Sequence, residues 1–147
     1  MATFSRQANI TWHGNIMEGK GTIDAGSGAF HLPVTFPQRI GEPGGATSPE
    51  ELIAAAHGTC YAMVVTGALG RANASAKSVT VACTVTADKG EAGIKIATSK
   101  LAVTAEGLVG MDAAAFDAMA RTAEGKCPVS AALRGSVNTR EAQVTSW

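Results

Sequence analysis

The chain has 147 residues, with 12 basic and 12 acidic side chains and therefore no formal net charge. This length suits about one domain, and the balanced charge excludes the basic surface that nucleic-acid binding requires. Charged residues make up 16% of the chain and hydrophobic ones 46%, which argues against long disordered tails. The first residues lack the apolar run of a signal peptide, so we expect a cytoplasmic protein.

The first third of the chain is predicted to form short strands followed by a loop. Strands are expected at residues 2–12, 19–24 and 29–34, with turns between them. Residues 33–45 contain three prolines and three glycines, which predict a loop. The charged residues of that loop are Arg39 and Glu42.

A long helix is predicted over residues 48–70. Ser48 can cap it, and Glu51 can complete a capping box by accepting a hydrogen bond from the Ser48 amide. Pro49 suits the first helical position, and Gly70 is expected to end the helix.

The middle of this helix, residues 52–69, contains no Lys, Arg, Asp or Glu. Its length is near the membrane-spanning threshold, but it contains polar and small residues and lacks flanking aromatic anchors. A helix buried on nearly all sides within the protein is therefore favoured over a membrane span.

The remainder of the chain is predicted to contain a hairpin, two helices and a last strand. Residues 77–88 alternate in polarity, with Val79, Val81, Cys83, Val85 and Ala87 on one face. The expected elements are strands at 77–88 and 93–105, helices at 111–123 and 128–133, and a strand at 136–145. This order predicts a single α+β domain with antiparallel sheets packed on a long buried central helix. Its parts are an N-terminal β region with its loop (1–47), the central helix (48–70) and the remainder (77–147).

Three cysteines are present, with no CxxC pair, so they do not form a disulfide framework. Cys60, in the middle of the long helix, is either a small core residue or a functional thiol. Cys127 precedes Pro128 at a helix start, where free amides favour a thiolate, although it can equally be only a cap. Cys83 lies on the apolar face of a strand and is interpreted as structural.

His57 lies three residues before Cys60 and shares its helix face. A metal site needs two further ligands, and the sequence offers no local pair, so no metal is expected. A Cys–His hydrolase needs an orienting group and an oxyanion hole that nothing in the sequence marks. A hydrogen-bonded core histidine is the favoured interpretation.

Arg39 and Glu50 are the charged residues of interest. Arg39 is the only basic residue between Lys20 and Arg71, although it can equally be a surface residue. Glu50 is free of the capping box if Glu51 serves it. Glu50 lies roughly 15 Å from Cys60 along one straight helix, so shared chemistry requires Glu50 from another chain.

These residues resemble motifs of the OsmC (osmotically inducible protein C) family. The run from Ser48-Pro-Glu-Glu through His57-Gly-Thr-Cys60 resembles its first cysteine helix, and Gly125-Lys-Cys127-Pro-Val-Ser its second cysteine motif. The opening Trp12-His-Gly-Asn and the position of Arg39 also fit. The resemblance covers essentially the whole chain and is closer to the OsmC branch than to the organic hydroperoxide resistance branch.

The resemblance implies a thiol peroxidase for organic hydroperoxides, acting as an intertwined homodimer with its sites at the subunit interface. By motif, Cys60 corresponds to the peroxidatic cysteine and Cys127 to the resolving one. Arg39 and Glu50 correspond to the residues that activate the first thiol, and Cys83 matches no motif. The implied cycle forms a Cys60 sulfenic acid and then a Cys60–Cys127 disulfide, which an external dithiol reduces without a cofactor.

Two other functions remain open at this point. One is a non-catalytic dimeric binding or scaffold protein on the same fold, with inert buried thiols. The other is a metal hydrolase that uses His57 and Cys60.

Overall fold

The computed structural model describes residues 2–134 and the backbone of residues 142–146. Met1–Leu52 form one unit of structure and Ile53–Trp147 form the other. The organisation of the chain as a single domain stays a prediction.

The first unit contains an antiparallel sheet of three strands. These are β1 (Ala8–His13), β2 (Lys20–Ala25) and β3 (His31–Val34), in the order β1-β2-β3. The predicted strands are confirmed, but β1 begins at Ala8 rather than at residue 2. Gly14 follows β1 with a φ of 85°, a left-handed conformation that suits glycine at this turn.

A short helix, α1 (Phe36–Ile40), lies where the sequence predicts only a loop. The Thr35 hydroxyl caps it by accepting a hydrogen bond from the Gln38 amide at 3.2 Å. Pro37 lies in its first turn, where a missing N–H costs nothing. One of the prolines that suggested a loop, Pro37, thus lies at the start of a helix, and Arg39 lies in the last turn of that helix.

The long helix α2 (Pro49–Arg71) is confirmed close to its predicted bounds. The Ser48 hydroxyl accepts from the Glu51 amide at 3.1 Å, as the capping motif predicts. The Glu51 carboxylate binds the Thr47 hydroxyl at 2.7 Å instead of the Ser48 amide. The helix continues past Gly70, and the chain then turns at Asn73, which has a φ of 55°.

The prediction that α2 is buried on nearly all sides is wrong for the single chain. One stripe of the helix is buried: His57, Gly58, Tyr61, Val65 and Leu69. Met63, on another face, is 69% exposed. Helix α2 is long and apolar enough to cross a membrane, but core helices of soluble proteins also meet this length and hydropathy criterion. The buried stripe fits a core helix, since a periodic apolar stripe is what packs against other elements.

The second unit packs α2 with a sheet and two further helices. Its elements are β4 (Ser78–Gly90), β5 (Gly93–Glu106), α3 (Ala113–Glu124), α4 (Pro128–Leu133) and β6 (Ala142–Ser146). The predicted hairpin of β4 and β5 is confirmed as an antiparallel pair. Side chains of α2, β5 and α3 form the core, with Tyr61, Leu101 and Phe116 among its largest members.

The second sheet is not entirely antiparallel, because its last strand, β6, pairs with β5 in parallel. A parallel neighbour requires a crossover connection, and α3 and α4 lie between these two strands in the chain. The predicted start of this strand, at residues 136–141, lies outside the described residues. The α+β class with a long central helix is confirmed.

Candidate active site

Cys60 and Cys127 lie together in the second unit, although 67 positions separate them in the chain. Cys60 is in the middle of α2, and Cys127 is the N-cap residue of α4. They lie close enough that Cys127 raises the pKa of Cys60, and both are free thiols. Cys60 is partly exposed, whereas Cys127 is completely buried.

The first turn of α4 supplies a backbone donor to each of the two sulfurs. The Val129 amide donates to Cys60, and the Ser130 amide donates to Cys127 Sγ at 3.4 Å. These are amides that a helix leaves without internal partners. The turn therefore holds both thiols with main-chain groups.

The surroundings of Cys60 favour its thiol form. Burial raises the pKa of Cys60, the Val129 amide lowers it, and the neighbouring Cys127 raises it again. The net effect is a raised pKa, as expected when a group that ionises to an anion leaves water. A reactive thiolate here needs a positive charge to offset that effect.

His57 lies at the centre of a buried hydrogen-bond chain. Its Nδ1 is 2.6 Å from Ser99 Oγ, and its Nε2 is 2.7 Å from Ser130 Oγ. All three residues have no exposed surface. Burial lowers the pKa of His57, and the charge of Glu124 opposes this in part. The interpretation of His57 as a hydrogen-bonded core residue is confirmed.

Sequence reasoning missed both serines of this chain. Two signals could have indicated them. Ser130 lies within the second cysteine motif, and Ser99 is at an inward-facing position in the alternation of β5. Among the described residues, no group of three or more His, Cys, Asp or Glu side chains could hold a metal ion.

Cys83 has polar neighbours that the sequence did not reveal. Its Sγ lies 3.4 Å from Ser99 Oγ and 3.8 Å from His57 Nδ1. Burial raises the pKa of Cys83, while the Ser99 hydroxyl lowers it. Cys83 therefore lies beside the histidine chain, and its structural role stays a prediction.

Arg39 and Glu50 form an ion pair within the first unit. Arg39 Nη2 is 2.6 Å from Glu50 Oε1, and Arg39 Nε lies 3.1 Å from each carboxylate oxygen. Their side chains are 28% and 15% exposed, so water screens the pair only in part. Burial alone raises the pKa of Glu50, but the Arg39 hydrogen bond and charge outweigh it and lower that pKa. The hydrogen bond to Glu50 raises the pKa of Arg39.

Comparison with known proteins identifies the family. A family described as OsmC-like protein matches residues 41–142. The chain is 38% identical to peroxiredoxin OsmC of Escherichia coli K12 over 138 residues, which is 92% of this chain and 94% of that protein. The chain belongs to the OsmC-like family.

Solved structures of OsmC-like proteins share this fold. An organic hydroperoxide resistance protein OsmC from Legionella pneumophila superposes with a TM-score of 0.76 and 25% identity, covering 99% of both chains. The organic hydroperoxide resistance protein OhrB of Bacillus subtilis superposes with a TM-score of 0.69 and 22% identity, covering 94% of this chain and 97% of that one. The fold and family expected from the cysteine motifs are confirmed.

Proposed function

We propose that this OsmC-like protein is a thiol-dependent peroxidase that reduces organic hydroperoxides, and hydrogen peroxide more weakly, in oxidative or osmotic stress defence. The observation that carries the proposal is the proximity of a partly exposed thiol, Cys60, to a buried one, Cys127, which raises the pKa of Cys60. The names of the relatives, peroxiredoxin and organic hydroperoxide resistance protein, support the same chemistry.

In the first step, the Cys60 thiolate attacks the O–O bond of the peroxide. The bond breaks, the distal fragment leaves as an alcohol after taking a proton, and Cys60 becomes a sulfenic acid. The exposure of the two thiols supports this order, since a substrate must reach Cys60 while Cys127 has no accessible surface.

In the second step, the Cys127 thiol attacks the sulfenic sulfur. An S–S bond forms, the S–O bond breaks, and the hydroxyl group leaves as water with the thiol proton. An external dithiol then reduces the disulfide by exchange. Thiol chemistry alone accounts for the cycle, and a cytoplasmic location would supply such reductants.

The Arg39–Glu50 pair is proposed to activate Cys60. A guanidinium beside the thiol would lower the pKa that burial raises, and the carboxylate would hold it in one orientation. Glu50 and Cys60 are ten positions apart on α2, roughly 15 Å along the helix axis. We therefore expect a second copy of the chain to bring Arg39 and Glu50 to Cys60.

The exposed side of α2 supports this homodimer. Small and apolar residues on it remain accessible in the single chain: Ala55, Ala56, Thr59, Met63 and Thr66. Met63 is 69% exposed, and such an apolar surface is typical of an interface between subunits. An intertwined dimer would cover it.

Peroxide consumption tests the proposal. With dithiothreitol, the purified protein should consume cumene hydroperoxide, and Cys60→Ser should fall to the uncatalysed rate because a hydroxyl does not replace the thiolate nucleophile. Cys127→Ser should react with one equivalent of peroxide and form no intramolecular disulfide. Full activity of Cys60→Ser would refute the assignment, and slow, pH-independent alkylation of Cys60 in the wild type would favour a non-catalytic scaffold.

Peptide mapping of the oxidised protein tests the second thiol separately. We expect a Cys60–Cys127 disulfide. A Cys60–Cys83 disulfide would overturn the resolving role of Cys127 and leave the peroxidase proposal intact.

A further inference from the structure

The buried chain Ser99–His57–Ser130 joins three elements of the second unit. Ser99 belongs to β5, His57 to α2 and Ser130 to α4. A neutral imidazole has one donor and one acceptor nitrogen, so the two serine hydroxyls satisfy the ring completely. Burial lowers the pKa of His57, which favours this neutral ring. With both nitrogens bonded, His57 has no free ring nitrogen with which to accept a proton from a substrate.

Ser130, at one end of this series of hydrogen bonds, lies in the first turn of α4, close to the two thiols. The Ser130 hydroxyl contacts His57, while the Ser130 amide donates to Cys127 Sγ. The preceding amide, that of Val129, donates to Cys60. One residue of α4 therefore connects the imidazole to the second sulfur.

Helix α4 is held by packing of Cys127 and Val129 against the core and by polar contacts of its first turn. It has six residues, and among them Ser130 is the buried one. A helix of this length has little stability of its own and depends on tertiary contacts. The contact between His57 and the Ser130 hydroxyl is a buried polar attachment of α4 to α2, the helix that carries Cys60.

We propose that His57 is a positioning residue for disulfide formation. By holding the first turn of α4 through Ser130, it keeps Cys127 Sγ next to the sulfur of Cys60 while the sulfenic acid is attacked. The peroxide step uses Cys60, which Arg39 and Glu50 are proposed to activate, and does not need Cys127 in place. The second step, in which Cys127 reacts, therefore depends on His57 more strongly than the first, to which this turn contributes the Val129 amide. This inference rests on the proposed peroxidase function.

Two single-turnover rates test this inference. Reduced protein is mixed with one equivalent of cumene hydroperoxide without reductant, and samples are quenched over time. Intact mass then follows the sulfenic acid, trapped with dimedone, and the disulfide, which is lighter than the dithiol by two hydrogen atoms. We expect Ser130→Ala to slow disulfide formation by about tenfold, the factor that a lost hydrogen bond commonly represents, and to slow the peroxide step by a smaller factor.

Variants at position 57 provide a graded check. His57→Leu removes both contacts and should slow disulfide formation at least as much as Ser130→Ala. His57→Gln retains an amide that can reach Ser130, so it should recover part of the rate. Equal rates in the Gln and Leu variants would show that the polar contact is not what matters and would overturn the inference.

Tyr61→Phe is the matched control. Tyr61 is also buried on α2, and its hydroxyl donates at 2.7 Å to the Ala120 carbonyl oxygen in α3. Removing this bond loosens the same helix and leaves the hydrogen bonds of Ser130 to His57 and Cys127 in place, so disulfide formation should stay within about twofold of wild type. Equal slowing by Tyr61→Phe and Ser130→Ala would indicate general loosening and overturn the inference.

The outcomes separate this inference from the proposed function. If the wild type forms neither sulfenic acid nor disulfide, the peroxidase proposal fails. If the wild type forms the disulfide and Ser130→Ala forms it equally fast, the role of His57 is overturned and the peroxidase proposal stands.

Discussion

The thiol site of the second unit and the Arg39–Glu50 pair of the first are built from different interactions. Cys60 is held by a neighbouring thiol and a backbone amide, and burial raises its pKa. Arg39 and Glu50 are held by a bidentate ion pair that favours the charged form of each. One region brings two thiols together but favours the protonated form of Cys60, and the other holds a guanidinium in a fixed orientation against a carboxylate. Under the proposed function, the thiol geometry and the activation of Cys60 are therefore encoded in separate parts of the chain.

The largest expected effect comes from removing the positive charge. Arg39→Gln should slow the reaction of Cys60 with cumene hydroperoxide by about a hundredfold, the usual cost of losing one electrostatic catalytic group. Arg39→Lys keeps the charge but loses the bidentate geometry, so its rate should fall between those of the wild type and Arg39→Gln. Stopped-flow measurement of the peroxide step compares the three proteins. An unchanged rate in Arg39→Gln would show that the ion pair does not take part in the reaction.

The pKa of Cys60 tests the same comparison without peroxide. In a Cys83→Ala, Cys127→Ser background, the rate of iodoacetamide alkylation reports the Cys60 thiolate as pH is raised. With Arg39→Gln added, the pKa should lie above the ordinary value of 9.0, because burial dominates. With Arg39 present, it should be lower. The same profile in both proteins would contradict the proposed activation.

Acid unfolding should reveal the ion pair as a stability effect. The pKa of Glu50 is lowered in the folded chain, so its contribution is present above the ordinary value of 4.5 and is lost as pH falls below it. Glu50→Gln lacks this contribution. Its Tm should be lower than that of wild type at neutral pH, and the difference should shrink toward pH 3, as differential scanning calorimetry can measure. A difference that does not depend on pH would indicate lost packing instead.

The smallest effect is expected at the third thiol. Cys83→Ala should leave steady-state peroxide turnover within about twofold of wild type, because most buried free cysteines act as small apolar residues. Cys127→Ala serves as the contrasting variant in the same assay, since it removes the proposed resolving thiol. A large loss in Cys83→Ala would bring this residue, and its contact with Ser99, into the reaction.

The sequence by itself determined the order of elements, the helix caps and the two cysteine motifs. These depend on neighbours a few positions apart, as in the Ser48 cap and the alternation along β4. The resemblance of the cysteine motifs to the OsmC family then allowed the overall fold to be predicted. The short helix α1 was missed, because proline and glycine content does not distinguish a loop from a proline-started helix.

Only the tertiary structure decided which distant groups meet. The buried bonds of His57 to Ser99 and Ser130 span 42 and 73 positions, and no local pattern encodes such pairings. The same holds for the exposed face of α2, since hydropathy along a helix does not say which side another element covers. Local rules follow from backbone geometry, whereas these contacts arise when whole elements pack to bury their apolar faces and must satisfy each buried polar group that remains.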